Sequence, residues 1–202
     1  MSTATLEYSA KLAGGSIYIP FKLGRNDCDL AHPPAKSNPS PIDTSLLLFL
    51  QNNFNVTDKE AVALLGLRTL GRCNRNISGY QGQWDSTPLG LDNHYFINMV
   101  STGWFIQKMV TPMAKFLVSS QWSKIRGQHF SMMLHADMAI YKSFNVSGQF
   151  DEPDCEFDDC PFASTAVYVE EFAKSEAAFY KTLSIAYTKM LEGDGAGLVT
   201  AI

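Results

Sequence analysis

The sequence predicts a mainly α-helical fold in a single domain that spans residues 1–202. Three observations support this prediction. A capped helix signal begins at Thr57, an amphipathic helical pattern runs from Ser175 to Leu191, and the composition is that of an ordinary globular protein. Hydrophobic residues make up 46% of the 202 residues and charged residues 18%. A chain of this length and composition can bury a substantial core without disulfide bonds.

The first predicted helix covers Met1–Leu12, and Gly14 with its neighbouring glycine ends it. Residues 16–41 are predicted to be irregular, because the segment 31–41 is rich in proline, which lacks the backbone donor that regular structure needs. A second helix is predicted from Asp43 to Gln51. Its leucines are expected to face the core: Leu46, Leu47 and Leu50.

The third predicted helix begins at Thr57, whose hydroxyl can cap the free backbone amide three residues later. Glu60 stands at the position that closes a capping box, and the helix should end near Gly71. A further helix is predicted to start at Asp92. The stretch between them is rich in glycine and aromatic residues, and it contains the turn 87–90.

Two more helices are predicted towards the carboxyl end. The segment Trp104–Leu117 carries apolar residues at helical spacing, and Pro112 must start or kink the helix there. The segment Ser175–Leu191 presents a continuous apolar face, which is typical of a helix that packs on a core. With these helices the predicted architecture is mainly α.

Charge and hydropathy exclude some partners. The formal net charge is −4, and no basic stripe is present, so nucleic acid is not expected as a partner. No apolar run reaches the roughly 18 residues that a membrane-spanning helix requires. The first fifteen residues lack the charged and apolar blocks of a signal peptide.

The run DKEAVALLGLRTLGRCNRNISGYQGQWDSTPLGLDNHYF, residues 58–96, resembles the proximal haem segment of class I haem peroxidases, and most closely that of ascorbate peroxidases. The resemblance extends upstream to IPFKLGRND at residues 19–27. Downstream it includes MMLHADMA at residues 132–139 and the terminal helix from Tyr168 to Leu191. It implies the proximal-half domain of the plant-type, haem-dependent peroxidase fold, with residues 144–160 as an acidic insertion.

Several residues depart from the family pattern. Arg68 stands where the family has the histidine that ligates haem iron, and a guanidinium has no free lone pair to give a metal. The family's second histidine aligns with Asn74, and its ascorbate-binding arginine aligns with Ile77. No motif of the family's distal helix occurs in this sequence. The only histidine before the helix that begins at Thr57 is His32, and it lies in the Pro-rich segment, where a rigid helical acid–base site is not expected. The sequence therefore predicts that the chain is not an enzyme and that haem is not bound.

By resemblance, Arg68, Trp84 and Asp137 occupy the positions of the family's proximal His, Trp and Asp. A carboxylate at residue 137 is expected to form a forked ion pair with the guanidinium, with the Trp84 ring alongside. The three residues would then be a structural remnant of the family's triad. The alternative is that Arg68 points into solvent at the end of its helix, where cations are favourable.

A second group of residues, Thr69, Asp85, Thr87 and Asp92, falls on the positions that supply oxygen ligands to a cation in ascorbate peroxidases. Oxygen ligands suit potassium or calcium, and the extra carboxylate of Asp85 favours calcium. The alternative is that Asp85 and Asp92 are ordinary turn and helix-cap residues. The turn-and-cap interpretation is favoured, so no cofactor is expected from the sequence, and a potassium or calcium ion is the one cofactor that it leaves open.

The four cysteines give a weaker signal. Cys155 and Cys160 lie in the acidic insertion at a spacing that suits either a local disulfide or a metal site, but no second pair at zinc-finger spacing accompanies them. A surface loop with a disulfide is the interpretation adopted. Because acid is concentrated in this loop, it is also the segment best suited to a basic partner surface. A lone His135 beside an apolar run is interpreted as a core residue.

Three functional hypotheses follow. In the first, the chain is a catalytically inactive, peroxidase-derived subunit whose exposed apolar face docks other protein subunits. Resemblance to ascorbate peroxidases places it in a plastid, peripheral to a thylakoid photosystem complex, and otherwise in the cytoplasm. In the second, it is the proximal half of a split haem peroxidase that reduces hydrogen peroxide. In the third, it carries haem or another tetrapyrrole without ligating the metal.

Overall fold

The computed structural model describes residues 3–24, 45–110, 118–126, 129–193 and 198–200. Within them the helices, in chain order, are α1 (Thr3–Leu12), α2 (Leu46–Phe54), α3 (Asp58–Leu65), α4 (Arg75–Ser78), α5 (His94–Val100), α6 (His135–Met138), α7 (Ala166–Lys174) and α8 (Glu176–Glu192). A 3-10 turn, Gly66–Thr69, continues α3. The predicted Pro-rich segment 31–41 lies outside the described residues.

The strands in the same residues are β1 (Lys22–Leu23), β2 (Arg72–Cys73), β3 (Gly82–Gln83), β4 (Phe105–Val110), β5 (Val118–Arg126), β6 (His129–Met133), β7 (Val146–Ser147), β8 (Glu152–Pro153) and β9 (Val199–Thr200). Five of them form a sheet in the order β2-β3-β6-β5-β4. Only the β3–β6 pairing is parallel. The prediction of a mainly α fold is therefore only partly confirmed. The predicted helices are present in part, but the structure also contains a five-stranded sheet that was not predicted.

The local helix signals are confirmed at the two strongest sites. Thr57 and Glu60 form the capping box of α3: the Thr57 hydroxyl accepts from the Glu60 amide, and the Glu60 carboxylate accepts from the Thr57 amide. The helix α8 begins with Ser175 as its N-cap and runs for 17 residues. Both helices are specified by contacts within a few residues of each other, which a sequence pattern can reveal.

The second helix begins later and ends later than predicted. It covers Leu46–Phe54, and the predicted cap Asp43 lies outside the described residues. Asn55 ends it in the left-handed conformation, with φ of 50°. Of its leucines Leu46 is buried, whereas Leu47 and Leu50 are only partly buried against the core. This helix lies near the surface, so only one edge of it packs against the core.

The prediction of a helix over Trp104–Leu117 is wrong for its first half. Residues Phe105–Val110 form β4, which pairs with β5 along its whole length, from Phe105 opposite Ser123 to Val110 opposite Val118. The backbone groups of this segment bond to a neighbouring strand instead of bonding within a helix. Phe, Ile and Val suit a strand as well as a helix face, so the apolar spacing alone could not decide. The rest of the predicted helix, with Pro112, lies outside the described residues.

The helical core is built on three aromatic rings. Phe96 from α5 contacts Phe172 from α7 and Phe179 from α8, with 5.2 Å between ring centroids in each case. Gly66, directly after α3, lies against the same rings: a Cβ atom there would stand 2.5 Å from Phe179 and 2.7 Å from Phe96. No side chain fits at this position, because the rings occupy the space. Because Gly66 is the first residue of the 3-10 turn, this close contact fixes the position of the turn against the two rings.

Candidate functional site

The carboxylate of Asp137, on the short helix α6, is the centre of the site. Its side chain is completely buried. Its Oδ2 accepts hydrogen bonds from the indole Nε1 of Trp84 at 2.7 Å and from the backbone amide of Leu134 at 2.8 Å. Hydrogen bonds to a buried anion are stronger than neutral ones, since the charge is little solvated. The carboxylate therefore fixes the orientation of the Trp84 ring.

The other carboxylate oxygen is shared by a cation and a phenol. Arg68, in the 3-10 turn, places its Nε 2.7 Å from Asp137 Oδ1, and its Cζ lies 5.2 Å from the centroid of the Trp84 ring. The hydroxyl of Tyr95 on α5 donates to the same oxygen at 3.3 Å. The ion pair runs through Nε, whereas the sequence predicted a forked contact. The solvent-facing alternative for Arg68 does not apply, since its side chain is only 30% exposed.

The electrostatics of this cluster favour the charged pair. Burial is the largest single influence on Arg68 and opposes its protonated form, but Asp137 and two weaker neighbours together outweigh it, so the pKa of Arg68 is raised above its usual value. Burial raises the pKa of Tyr95 well above its ordinary value, and the adjacent Asp137 adds to that rise. The phenol is consequently neutral and acts as a hydrogen-bond donor. Tyr95 was missed in the sequence, where the only signal was its place in the DNHYF run.

The predicted cation ligands also come together, on the other side of the same turn. The Thr69 hydroxyl lies 2.5 Å from Asp85 Oδ2 and 2.9 Å from Asp92 Oδ1. The Thr87 hydroxyl lies 2.6 Å from Asp92 Oδ2, and the Thr87 amide donates to Asp85 Oδ1 at 2.8 Å. Both carboxylates are almost fully buried, with 2% and 5% exposure. Two chain-adjacent pairs, Arg68 with Thr69 and Trp84 with Asp85, therefore join the two clusters.

This second cluster holds two carboxylates within a few ångströms of each other. Burial raises the pKa of Asp85 above its usual value, and the charge of Asp92 contributes to the rise. His94 was not predicted to belong here, yet its Nδ1 lies 3.0 Å from Asp92 Oδ2 and 2.8 Å from the Thr87 hydroxyl. Within the described residues, no group of three or more His, Cys, Asp or Glu side chains has metal-binding geometry. Any ion here would depend on the threonine oxygens as well.

His135 lies in the core, as the sequence suggested. Its Nε2 is 3.0 Å from the hydroxyl of Ser120, which donates to the carbonyl of Asp151. The hydroxyl hydrogen is used there, so the imidazole donates from Nε2. The ring packs edge-on to Trp122 and Phe144. Burial lowers the pKa of His135 to about 4, so the ring is neutral near pH 7.

The predicted acidic insertion, residues 144–160, contains the antiparallel pair β7–β8 and a disulfide between Cys155 and Cys160. The metal-site alternative for this pair is thereby excluded. Lys142 donates from its Nζ to the carbonyl of Cys160 at 3.0 Å and lies 4.3 Å from the centroid of Phe162. Burial lowers the pKa of Lys142, although nearby Asp158 opposes this.

The remaining predicted positions lie away from the two clusters. Asn74 caps α4 by accepting from the amide of Asn76, and the Ile77 side chain is 86% exposed. A groove of 530 Å³ lies between the amino-terminal segment and α8, where Tyr18 and Ile185 are among the lining residues. None of the described helices is both long enough and apolar enough to cross a bilayer.

Comparison with known proteins gives consistent matches. A family model described as peroxidase matches residues 2–151. The mitochondrial cytochrome c peroxidase of Aspergillus fumigatus is 32% identical over 182 residues, which cover 88% of this chain and 42% of that protein. The cytosolic L-ascorbate peroxidase 2 of Oryza sativa subsp. japonica is 39% identical over 89 residues, 43% of this chain and 35% of that protein. The chain thus spans less than half the length of these curated relatives.

Replacing Arg68 with leucine should strand the buried Asp137 carboxylate and lower the free energy of unfolding by about 3–5 kcal/mol. The matched control is Lys174→Leu, which deletes a cation from the exposed pair with Glu170 and should cost less than about 1 kcal/mol. Urea unfolding followed by circular dichroism measures both. Equal stability of Arg68→Leu and the wild type would contradict a buried ion pair.

His135 should make the stability depend on pH. The unfolded chain binds a proton at this imidazole below pH 6.5, whereas the folded chain does so only near pH 4. Stability is thus complete above pH 6.5 and falls as the pH drops, by about 2 kcal/mol between pH 7 and pH 5. The free energy of unfolding of the wild type and of His135→Gln is measured by urea unfolding at both pH values. The loss of stability between pH 7 and pH 5 should be smaller in His135→Gln by this amount. An unchanged difference would mean that the imidazole is not buried in its neutral form.

Proposed function

This chain belongs to the class I haem peroxidase family, and from that membership we propose that it contributes the proximal part of a peroxidase that reduces hydrogen peroxide. The proximal part is the region that carries the Trp84–Asp137 pair. Because the chain spans less than half the length of its curated relatives, the activity of a whole protein is itself part of the proposal. Its reducing substrate is proposed to be ascorbate or a small redox protein, after the names of those relatives.

Two expectations from the sequence are corrected by the family. The first, that the chain is not an enzyme, is overturned because the relatives that match it are named peroxidases. The second, that haem is not bound, is overturned because the family is haem-dependent. Both expectations rested on Arg68 and on missing distal motifs. Neither observation outweighs family membership.

The observation that carries the proposal is the Trp84–Asp137 contact of 2.7 Å. The contact is buried, and the backbone amide of Leu134 and the phenol of Tyr95 reinforce it. Such a network holds an indole ring at a fixed angle against a buried carboxylate. A fixed, buried indole suits electron transfer, and a surface patch or a packed core would not require its hydrogen bond to a buried anion.

The residues of the site do not fit the axial position of haem iron. Arg68 keeps its proton, and its Nε is directed at Asp137, so it offers no electron pair to a metal. His135 bonds through Nε2 to Ser120, and its Nδ1, which carries the free electron pair, is buried inside the described structure, so the ring is closed to a metal. The proposal therefore concerns what these residues hold in place, and it includes no step at the metal.

A second candidate function is that of a subunit that docks in a larger assembly. The observation in its favour is an apolar surface near the amino-terminal segment, where the exposed residues include Tyr18, Phe21, Leu23, Ile185 and Val199. Leu23 and Val199 face each other across the β1–β9 pair, and Tyr18 and Ile185 line one groove. Exposed apolar surface of this kind is typical of interaction sites. A thylakoid photosystem complex as the assembly, and a tetrapyrrole carrier as a third role, stay predictions from the sequence.

We also propose that Thr69, Asp85, Thr87 and Asp92 bind a potassium or calcium ion. Support comes from the two buried carboxylates, whose like charges lie close together and bond only to hydroxyls, amides and His94 among the described residues. A hard cation would balance those charges with oxygen ligands. The alternative, in which the two aspartates are turn and cap residues, needs only the hydrogen bonds that they accept from the backbone amides of Thr87 and His94.

The peroxidase proposal is tested with the intact chain, mixed with haemin and freed of unbound pigment. Consumption of hydrogen peroxide is measured with ascorbate and with ferrocytochrome c as electron donors. We expect a Soret band and turnover above that of free haemin, and about a tenfold loss in Asp137→Asn, because this residue orients Trp84. Lys174→Ala, an exposed change, should leave the turnover unaltered.

The result that would contradict this proposal is a chain that binds no haem and consumes no peroxide, alone or in the complex in which it occurs. A colourless chain held in a complex of defined mass would support the docking role. A pigmented chain without turnover would support the carrier role.

The cation proposal is tested by thermal unfolding after treatment with a chelator. Adding calcium or potassium should raise the midpoint temperature, because binding at 100 times the dissociation constant adds about 2.7 kcal/mol. Asp85→Asn should abolish the response. Asp154→Asn, which removes an exposed carboxylate bonded to Asn145, should retain it. A chain that responds to neither ion would show that the cluster is a hydrogen-bonded turn.

A further inference from the structure

We infer that Arg68 determines how readily Trp84 loses an electron, and that its guanidinium makes oxidation of this indole harder than an uncharged residue would. The inference rests on the contacts of Arg68 and needs neither bound haem nor peroxide turnover. Its Cζ lies 5.2 Å from the centroid of the Trp84 ring. Trp84 is 7% exposed, so little water separates the two groups.

The physical reason is the change of sign when the ring is oxidised. A neutral indole attracts a cation through the negative potential of its face. Once Trp84 gives up one electron, the ring carries a full positive charge, and the guanidinium of Arg68 repels it. The guanidinium keeps its charge at any ordinary pH, so this repulsion cannot be relieved by loss of a proton. An interaction that stabilises the reduced ring thus destabilises the oxidised ring.

The carboxylate of Asp137 would act in the opposite direction if it were alone. It accepts the Trp84 Nε1–H at 2.7 Å, so its negative charge would stabilise a positive indole and could accept the indole proton. Arg68 removes most of that advantage, because its Nε pairs with Asp137 Oδ1 at 2.7 Å. The net charge beside the ring becomes zero where the carboxylate alone would give minus one.

The four donors to Asp137 strengthen this effect. Trp84 and the Leu134 amide bond to Oδ2, while Arg68 and Tyr95 bond to Oδ1. Both oxygens of the carboxylate are therefore engaged, and its negative charge is shared among four donors. When Trp84 is oxidised, one electron leaves to the oxidant and the Nε1 proton either remains or moves to Asp137 Oδ2. Both outcomes are less favourable here than beside an unpaired carboxylate.

The other tryptophans provide a background that the experiment must remove. Lys124 places its Nζ 5.1 Å from the Trp104 ring, whereas the rings described around Trp122 are His135, Phe144 and Phe157. Each variant is therefore made with and without Trp84→Phe. The difference between the two gives the oxidation of Trp84 alone.

The test uses a photo-generated ruthenium(III) polypyridyl complex as the one-electron oxidant, with the indolyl radical followed by transient absorption. Arg68→Gln removes the charge and keeps the size, whereas Arg68→Lys is the matched control that keeps the charge. Since unit charges about 5 Å apart near a protein surface interact by several RT, we expect Trp84 to be oxidised about tenfold or more faster in Arg68→Gln. Arg68→Lys should stay within about twofold of the wild type on the same grounds. Equal rates in Arg68→Gln and Arg68→Lys would overturn the inference.

Arg68→Gln leaves Asp137 unpaired and can fail to fold, which near-ultraviolet circular dichroism would reveal. In that case the comparison is made in Asp137→Asn, where no anion is stranded. Adding Arg68→Gln to this background should again accelerate oxidation of Trp84 by about tenfold, because only the guanidinium is then removed. An unchanged rate in this pair would overturn the inference independently of folding. Since haem and peroxide are absent, the result does not depend on whether the chain acts as a peroxidase.

Discussion

A single buried negative charge is the constraint on which the site depends. The Asp137 carboxylate has no exposed surface, and a charge in that position must be compensated or the fold loses stability. Its four donors come from separate parts of the chain: the 3-10 turn after α3, the loop after β3, helix α5, and the residue before α6. The carboxylate thus joins helices to sheet. Any substitution among the donors is felt by all of these segments.

Arg68 as one of the four donors distinguishes this site from a site that carries an imidazole in its place. An imidazole at that position could offer one nitrogen to a metal and donate from the other to Asp137, whereas a guanidinium can only donate. The geometry retains the Trp84–Asp137 contact and supplies a fixed cation above the ring. The same scaffold that orients an indole therefore also sets the charge around it.

The sheet explains why the polar residues of β5 are buried. Ser120, Gln121 and Ser123 have no exposed surface, and their strand lies between β4 and β6 in the sheet. Their hydrogen bonds are satisfied across the sheet: Gln121 bonds to the backbone of Gln81, and Ser123 bonds to Gln107. Buried polar side chains are tolerated when each has a partner. Through these hydrogen bonds, β5 holds the loop after Tyr80, which leads to Trp84, next to the strand β6, which leads to α6. The strand therefore supports the segments that carry Trp84 and Asp137.

The sequence by itself determined the elements whose causes are local, and the positions of the site residues. The capping box at Thr57 and the amphipathic helix α8 are set by contacts within a few residues, and the spaced resemblance identified Arg68, Trp84 and Asp137 as one group. The tertiary structure alone decided that Phe105–Val110 is a strand, because the partner that takes its backbone bonds lies on β5. It also brought Tyr95 and His94 into the two clusters and made His135 neutral through burial. Periodicity records which face of a segment is apolar, but pairing, burial and charge compensation depend on residues distant in the chain.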